Sequence, residues 1–198
     1  ACSSTIIDTQ GIPVFANAEF DRYDKAGTEA YEHGKYAEAE KLFSKGLKAA
    51  ERSGLYHLEV ATAQNNLAEV YRAQAKYSKA EPLYKNSLAI REKALGPNHP
   101  AVATSLNNLA LLYVTQGRYA KAESLFKRSL TIVEKTLGPN HLDVLKSLNN
   151  LAIVYYRQRR YAEAESLLKR SVSLREKTLG PNHRDVATSL NNLAEVYC

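Results

Sequence analysis

The sequence predicts an all-α fold, a solenoid of antiparallel helix pairs, and three observations predict it. First, a block of related residues recurs at 64–71, 106–113, 148–155 and 190–197, each with Asn-Asn-Leu-Ala inside and Tyr at its end. Each block begins 42 residues after the one before. A fixed period of roughly 20 to 50 residues marks units that stack on their neighbours, not a chain closed round one core. Second, apolar residues recur at helical spacing with no alternating strand segments. Third, Gly-Pro breaks recur at matching points, 96–97, 138–139 and 180–181, after the second, third and fourth units.

Residues 1–18 lack this pattern and are expected to be an irregular tail. The array follows over 19–198, in units of about 19–54, 55–96, 97–138 and 139–180 and a partial unit at 181–198. The first unit has diverged, but Tyr23, Ala26, Gly27, Gly34, Tyr36, Ala39, Phe43 and Gly46 keep the spacing of small and aromatic residues. In the second unit Pro82 falls inside the second helix, near enough its start to cost little.

The third unit shows the pattern most clearly. Val102, Leu106, Leu109, Ala110 and Tyr113 form one stripe of a 3.6-residue helix. Gly117 ends that helix. Ala122, Leu125, Phe126, Ser129, Leu130 and Val133 form the facing stripe, so each unit is a pair of helices of about 18 residues. Small residues at Ala110, Ala122 and Ser129 allow close approach, and Tyr113, Tyr119 and Phe126 fill the space between. The fifth unit stops at Cys198 where its first helix should turn, and the natural protein is expected to continue to a polar capping helix.

Between units the chain reads Leu-Gly-Pro-Asn-His at 95–99, 137–141 and 179–183. Gly suits the position past a helix end, Pro forbids continuation, and Asn is expected to cap the next helix. His57, His99, His141 and His183 share one position. One repeat apart, they would lie about 10 Å from each other, and metal ligands sit at about 2 Å, so helix-start or linker packing is their expected role.

Composition excludes several classes. The chain has 27 basic and 21 acidic residues, a net charge of +6, interleaved along helices and never in blocks of one sign. That is the signature of solvated helix faces, and it argues against a nucleic-acid surface. No segment has the roughly 18 consecutive apolar residues of a spanning helix. Only Cys2 and Cys198 are present, one at each end, so neither a disulfide, a metal site nor a redox pair is expected. No Ser-His-Asp arrangement, phosphate loop or Cys-His cluster appears, so no catalysis and no cofactor are expected. The pairs Glu38/Glu40 and Glu163/Glu165 read as exposed helix surface. Ala-Cys-Ser-Ser at 1–4 has the form left around the cut of a bacterial lipoprotein signal, with Cys2 the residue lipidated. Ala16-Asn17-Ala18 has the small-x-small form of a signal-peptidase site. An exported, lipid-anchored protein is one reading of this tail, and an ordinary cytoplasmic tail is the other.

The pattern Leu-Ala-x-x-Tyr, Gly-x-Tyr and Ala-x-x-x-Phe/Tyr resembles the tetratricopeptide repeat. The 42-residue period, the Asn-Asn pair and the Leu-Gly-Pro-Asn-His linker are similar to the repeats of kinesin light chains and their bacterial look-alikes. The resemblance implies a right-handed superhelix whose concave side is lined by the first helix of each pair. It implies a non-catalytic scaffold whose groove takes short acidic peptides containing an aromatic residue. No heptad region accompanies the repeats, so a motor role is not implied.

On that face the sequence places Thr62, Asn65, Asn66, Glu69 and Arg72, then Thr104, Asn107, Asn108, Leu111, Val114 and Thr115. Lys146, Asn149, Asn150, Ile153, Tyr156 and Arg157 follow, with Asn191 in the partial unit. An Asn amide both donates and accepts, which suits the main chain of an extended partner. Leu111, Val114, Ile153 and Tyr156 could form an apolar pocket, while Arg72, Lys146 and Arg157 favour acidic residues. Two alternatives stand beside this: an RNA-binding array, which would need cations pooled where Glu69 and Glu195 sit, and a purely structural Asn ladder that fixes stacking.

Overall fold

The computed structural model describes residues 6–7, 13–14, 18–53 and 57–194, and within these nearly everything is helical. The first unit is α1 (Ala18–Glu32) and α2 (Tyr36–Ser53), and the second is α3 (His57–Ala73) and α4 (Tyr77–Leu95). α5 (Pro100–Thr115) and α6 (Tyr119–Leu137) make the third, and α7 (Leu142–Arg157) and α8 (Tyr161–Leu179) the fourth. α9 (Arg184–Ala194) begins a fifth. Each second helix packs against the first helix of its own unit and against the first helix of the next. Consecutive units therefore share their apolar faces, and the array is a right-handed superhelical solenoid.

The core is continuous along the stack. Leu109, Ala110, Tyr113 and Phe126 of the third unit bury against Ala68, Ala80 and Tyr84 of the second and Leu151, Val154 and Tyr155 of the fourth. A second cluster joins Val102, Leu106 and Ile132 to Val144, Leu148 and Leu174. The predicted stripe Val102, Leu106, Leu109, Ala110 and Tyr113 is wholly buried, as are Ala122, Phe126, Ser129 and Val133 opposite it. Two buried serines satisfy their hydroxyls on a carbonyl of the paired helix, while the buried Ser171 and Ser189 hydroxyls have no partner among the described residues. Ser87 Oγ donates to Ala61 O at 2.7 Å and Ser129 Oγ to Ala103 O at 2.9 Å. In the first unit Gly27 lets Phe43 close in, since a Cβ there would meet the ring at 2.7 Å.

Two features differ from expectation. The tail is not wholly irregular: β1 (Ile6–Ile7) and β2 (Pro13–Val14) pair antiparallel, and Ala18 already belongs to α1. The linker Asn does not cap the next helix. His99 Nδ1 accepts from Ala101 N at 3.1 Å, His141 Nδ1 from Asp143 N at 3.2 Å and His183 Nδ1 from Asp185 N at 3.2 Å. Gly96, Gly138 and Gly180, all at positive φ, turn the chain so that each His amide bonds the Gly carbonyl. The turn uses up the Asn and leaves the longer His side chain at the cap position. The side chain of His57 lies outside the described residues. As expected, α4 contains Pro82 and runs unbroken through it. The lipid-anchor reading of Cys2, and Cys198 itself, also lie outside the described residues.

Candidate interaction face

The Asn pairs form a ladder between neighbouring first helices. Asn108 Nδ2 donates to Asn65 Oδ1 at 3.1 Å, and Asn150 Nδ2 donates to Asn107 Oδ1 at 2.8 Å. In the third and fourth units the second Asn thus bonds the first Asn of the preceding unit. Asn65 and Asn107, the acceptors, are 7% and 5% exposed, while Asn66, Asn108, Asn149 and Asn150 are half-buried and Asn191 is exposed. Asn65 Nδ2 also donates to Asn66 Oδ1 at 3.3 Å, whereas Asn107 Nδ2 is buried without a partner among the described residues.

A rung that sequence reading missed closes the ladder at its first unit. Asn66 Nδ2 donates to Asp24 Oδ1 at 2.8 Å. The turn of the first unit, at Gly34, precedes its counterpart Ala75 by 41 residues instead of 42. That one-residue shortening puts Asp24 in register with Asn65, and it was the available signal. Burial raises the Asp24 carboxyl above its usual range, against the lowering effect of the Asn66 amide.

Other face residues divide into those tied up and those presented. Arg72 donates to Glu69 Oε2 at 2.7 Å, and Glu69 also accepts from the buried Tyr84 hydroxyl. Burial works to lower the Arg72 guanidinium, and the Glu69 carboxylate more than reverses it, holding it firmly charged. Glu69 and Arg72 therefore neutralise each other. Leu111 and Val114 are partly buried against the core. By contrast, Ile153 is 50% and Tyr156 40% exposed, and Tyr156 meets Tyr161 edge-on with ring centroids 5.5 Å apart. Lys146 and Arg157 are exposed on the same helix, α7.

A row of ion pairs links neighbouring units through their second helices. Glu81 takes Lys85 Nζ and Arg118 Nη1, each at 2.7 Å, and the Tyr113 hydroxyl at 3.0 Å. Lys85 foremost, then Arg118 and Tyr113, hold its carboxyl down to about 2. One unit later Glu123 takes Lys127 at 2.6 Å and Arg160 at 2.7 Å, while Glu40 takes Lys76 at 3.0 Å one unit earlier. A parallel row pairs Arg128 with Glu92 and Arg170 with Glu134, both at 2.5 Å. Glu40, Glu163 and Glu165, read from sequence as plain solvated surface, each carry a cationic partner, in Lys76, Arg160 and Lys169. No described helix is long and apolar enough to cross a membrane, and no described group of His, Cys, Asp and Glu could hold a metal ion.

Comparison with known proteins fits this geometry. The tetratricopeptide repeat model matches residues 22–93, 59–135, 114–177 and 143–198, which together span most of the chain. Among solved structures, a kinesin light chain-like protein of Podosopora anserina with nearly identical TPR-like repeats superposes with a TM-score of 0.81 at 26% identity, over 92% of this chain and 87% of that one. BtubC (BKLC) from P. vanneervenii gives 0.80 at 22% identity, over 91% and 72%. The apo form of RapI gives 0.73 at 17% identity, over 91% and 70%, a likeness of fold alone. The comparison with curated proteins returns no match. Arrays of this fold are typically protein–protein interaction scaffolds and generally non-catalytic. The chain belongs to the tetratricopeptide repeat family, with kinesin light chain-like arrays among its structural relatives.

Proposed function

We propose that this array is a scaffold that holds an extended segment of a partner protein against its first-helix face. One observation carries the reading: Ile153 and Tyr156 stand half-exposed on α7, beside the exposed cations Lys146 and Arg157. Half-exposed large apolar side chains leave surface that a partner can bury, and an aromatic anchor with a polar rim is the usual make-up of a binding hot spot. The occupant is a peptide with an aromatic or apolar anchor flanked by acidic residues, since carboxylates complement Lys146 and Arg157. Asn108 and Asn150 keep acceptor oxygens beyond their ladder bonds, and these can take main-chain amides of the segment.

The charge distribution supports a protein partner over RNA. Arg118, Arg128, Arg160 and Arg170 all pair with carboxylates on the second-helix side, so the positive charge is not pooled on the first helices. Calorimetric titration with a short peptide carrying one tyrosine flanked by glutamates tests the proposal. Ile153→Ser with Tyr156→Ser should weaken binding at least about tenfold, equivalent to roughly 1.4 kcal/mol. Lys135→Glu, on the exposed side of α6, should leave it unchanged. Equal affinity for all three proteins refutes the site. Single-stranded RNA binding that falls steeply with salt, with no peptide binding, would establish the nucleic-acid reading instead.

A further inference from the structure

A slot recurs wherever two first helices meet over the second helix between them, and the units fill it differently. In the second unit Arg91 of α4 occupies it and is only 9% exposed. Its Nη1 donates to Ser105 Oγ at 2.9 Å and Ala101 O at 3.4 Å, and its Nη2 to Thr62 Oγ1 at 3.4 Å. The described residues give it no carboxylate, so a guanidinium is held there by neutral oxygens alone, and burial lowers it. In the fourth unit Arg175 stands at the matching place and its Nη1 donates to Asp185 O at 2.6 Å, but it is only half-buried and leaves an open hollow of about 450 Å³ lined by Lys146, Asn149 and Asp185. Both arginines reach the carbonyl ten residues ahead, at the start of the next first helix.

The third unit breaks the series. Val133 replaces the arginine, and a cavity of about 170 Å³ remains between α5, α6 and α7. Its lining includes Thr104, Ser147 and Asp143, which stand in register with Thr62, Ser105 and Ala101, the three residues that hold Arg91. Asn107 also lines it, and its buried Nδ2 has no partner among the described residues.

We propose that this slot takes an arginine side chain from the partner, in the place that Arg91 fills from within the chain one unit earlier. A planar guanidinium presents several N–H groups in a fixed fork, which suits a hydroxyl, a second hydroxyl and a carbonyl arranged as round Arg91. The Asp143 carboxylate at the rim adds charge complementarity that the Arg91 slot lacks, and Lys146 at the same rim opposes it. The inference rests on the scaffold reading only for how the arginine arrives.

The test therefore uses a small probe in place of a peptide. Nα-acetyl-arginine methylamide is titrated into the isotopically labelled protein, with the citrulline, lysine and leucine counterparts in parallel. The arginine probe should shift the resonances of Val133, Asp143 and Ser147. Citrulline, of the same shape without the charge, should bind at least about tenfold more weakly. Val133→Arg should abolish binding by filling the slot. Ser147→Ala, a smaller change, should weaken it severalfold in a protein of unchanged fold, and Lys146→Ala should strengthen it. Equal response to citrulline or leucine, no movement of the slot resonances, or full binding by folded Ser147→Ala overturns the proposal. Loss of the acidic-peptide titration with retained probe binding would instead count against the scaffold reading alone.

Discussion

Replacing Asn65 or Asn107 by Ala removes the same side chain from the same position one unit apart, yet the two changes should differ in cost. Asn65→Ala breaks two hydrogen bonds, the acceptor for Asn108 at 3.1 Å and the donor to Asn66 at 3.3 Å. At about 1 kcal/mol net for each, the loss is about 2 kcal/mol, and more where Asn108 is left unsatisfied. Asn107→Ala breaks only the bond from Asn150 at 2.8 Å. It also deletes a buried donor that has no described partner, and burying such a group costs about 1 kcal/mol or more. The two effects nearly cancel, so Asn107→Ala should cost between about 0 and 1 kcal/mol. In a protein of this size 1 kcal/mol moves the melting temperature by about 2–4 °C, so Asn65→Ala should melt about 4–8 °C low and Asn107→Ala about 0–4 °C low. Thermal and urea unfolding followed by circular dichroism measure both. If Asn107→Ala proves as destabilising as Asn65→Ala, the ladder does not distribute its bonds as described.

Ala75 and Arg159 adopt φ of 58° and 61° at the turn where Gly34 and Gly117 sit at 71°, and that conformation costs an L-residue roughly 1–2 kcal/mol. Arg159→Gly should therefore raise stability by about 0.5–1 kcal/mol after the entropy gained by the unfolded chain, and a lower urea midpoint would contradict this. The Glu81 carboxyl, held at about 2, lies below its unfolded value of about 4.3. Its contribution is complete above the unfolded value and is lost as pH falls toward 2. Glu81→Gln should thus be less stable at neutral pH and decline less steeply between about pH 4.5 and pH 2; parallel pH profiles for variant and parent would refute the assignment. On the interaction face, Arg157→Glu should weaken the tyrosine–glutamate peptide severalfold with no change in melting temperature, and unchanged affinity would remove that cation from the site.

The fold was legible because every level of the sequence agrees: the Asn-Asn-Leu-Ala block, the stripe from Val102 to Tyr113 and the Gly-Pro breaks all specify one helix pair per period. The interaction face was legible only in part. Helical spacing places Asn107 and Ile153 on the first-helix side, but it cannot say which side chain turns into the seam between helices and which stays in water. Asn107 is buried in the ladder while Ile153 is half-exposed, a difference set by how the next unit leans on each position. Arg72 read as a free cation because its partner Glu69, one helical turn away, was assigned to the open face. His caps escaped notice because Asn is the commoner capping residue, and only the path of the Gly-Pro turn decides which of the two reaches the amide. Arg91 looked like one more surface charge, and only the depth of the slot identifies it as buried.

The central claim is that the partner segment lies along the first helices. Paramagnetic broadening from a spin label on the tyrosine–glutamate peptide tests it most directly. Resonances of Leu111, Lys146, Ile153, Tyr156 and Arg157 should broaden, while those of Arg128, Lys135 and Arg170 on the second helices stay sharp. Broadening centred on Arg128 and Arg170, with Ile153 and Tyr156 untouched, would contradict the account.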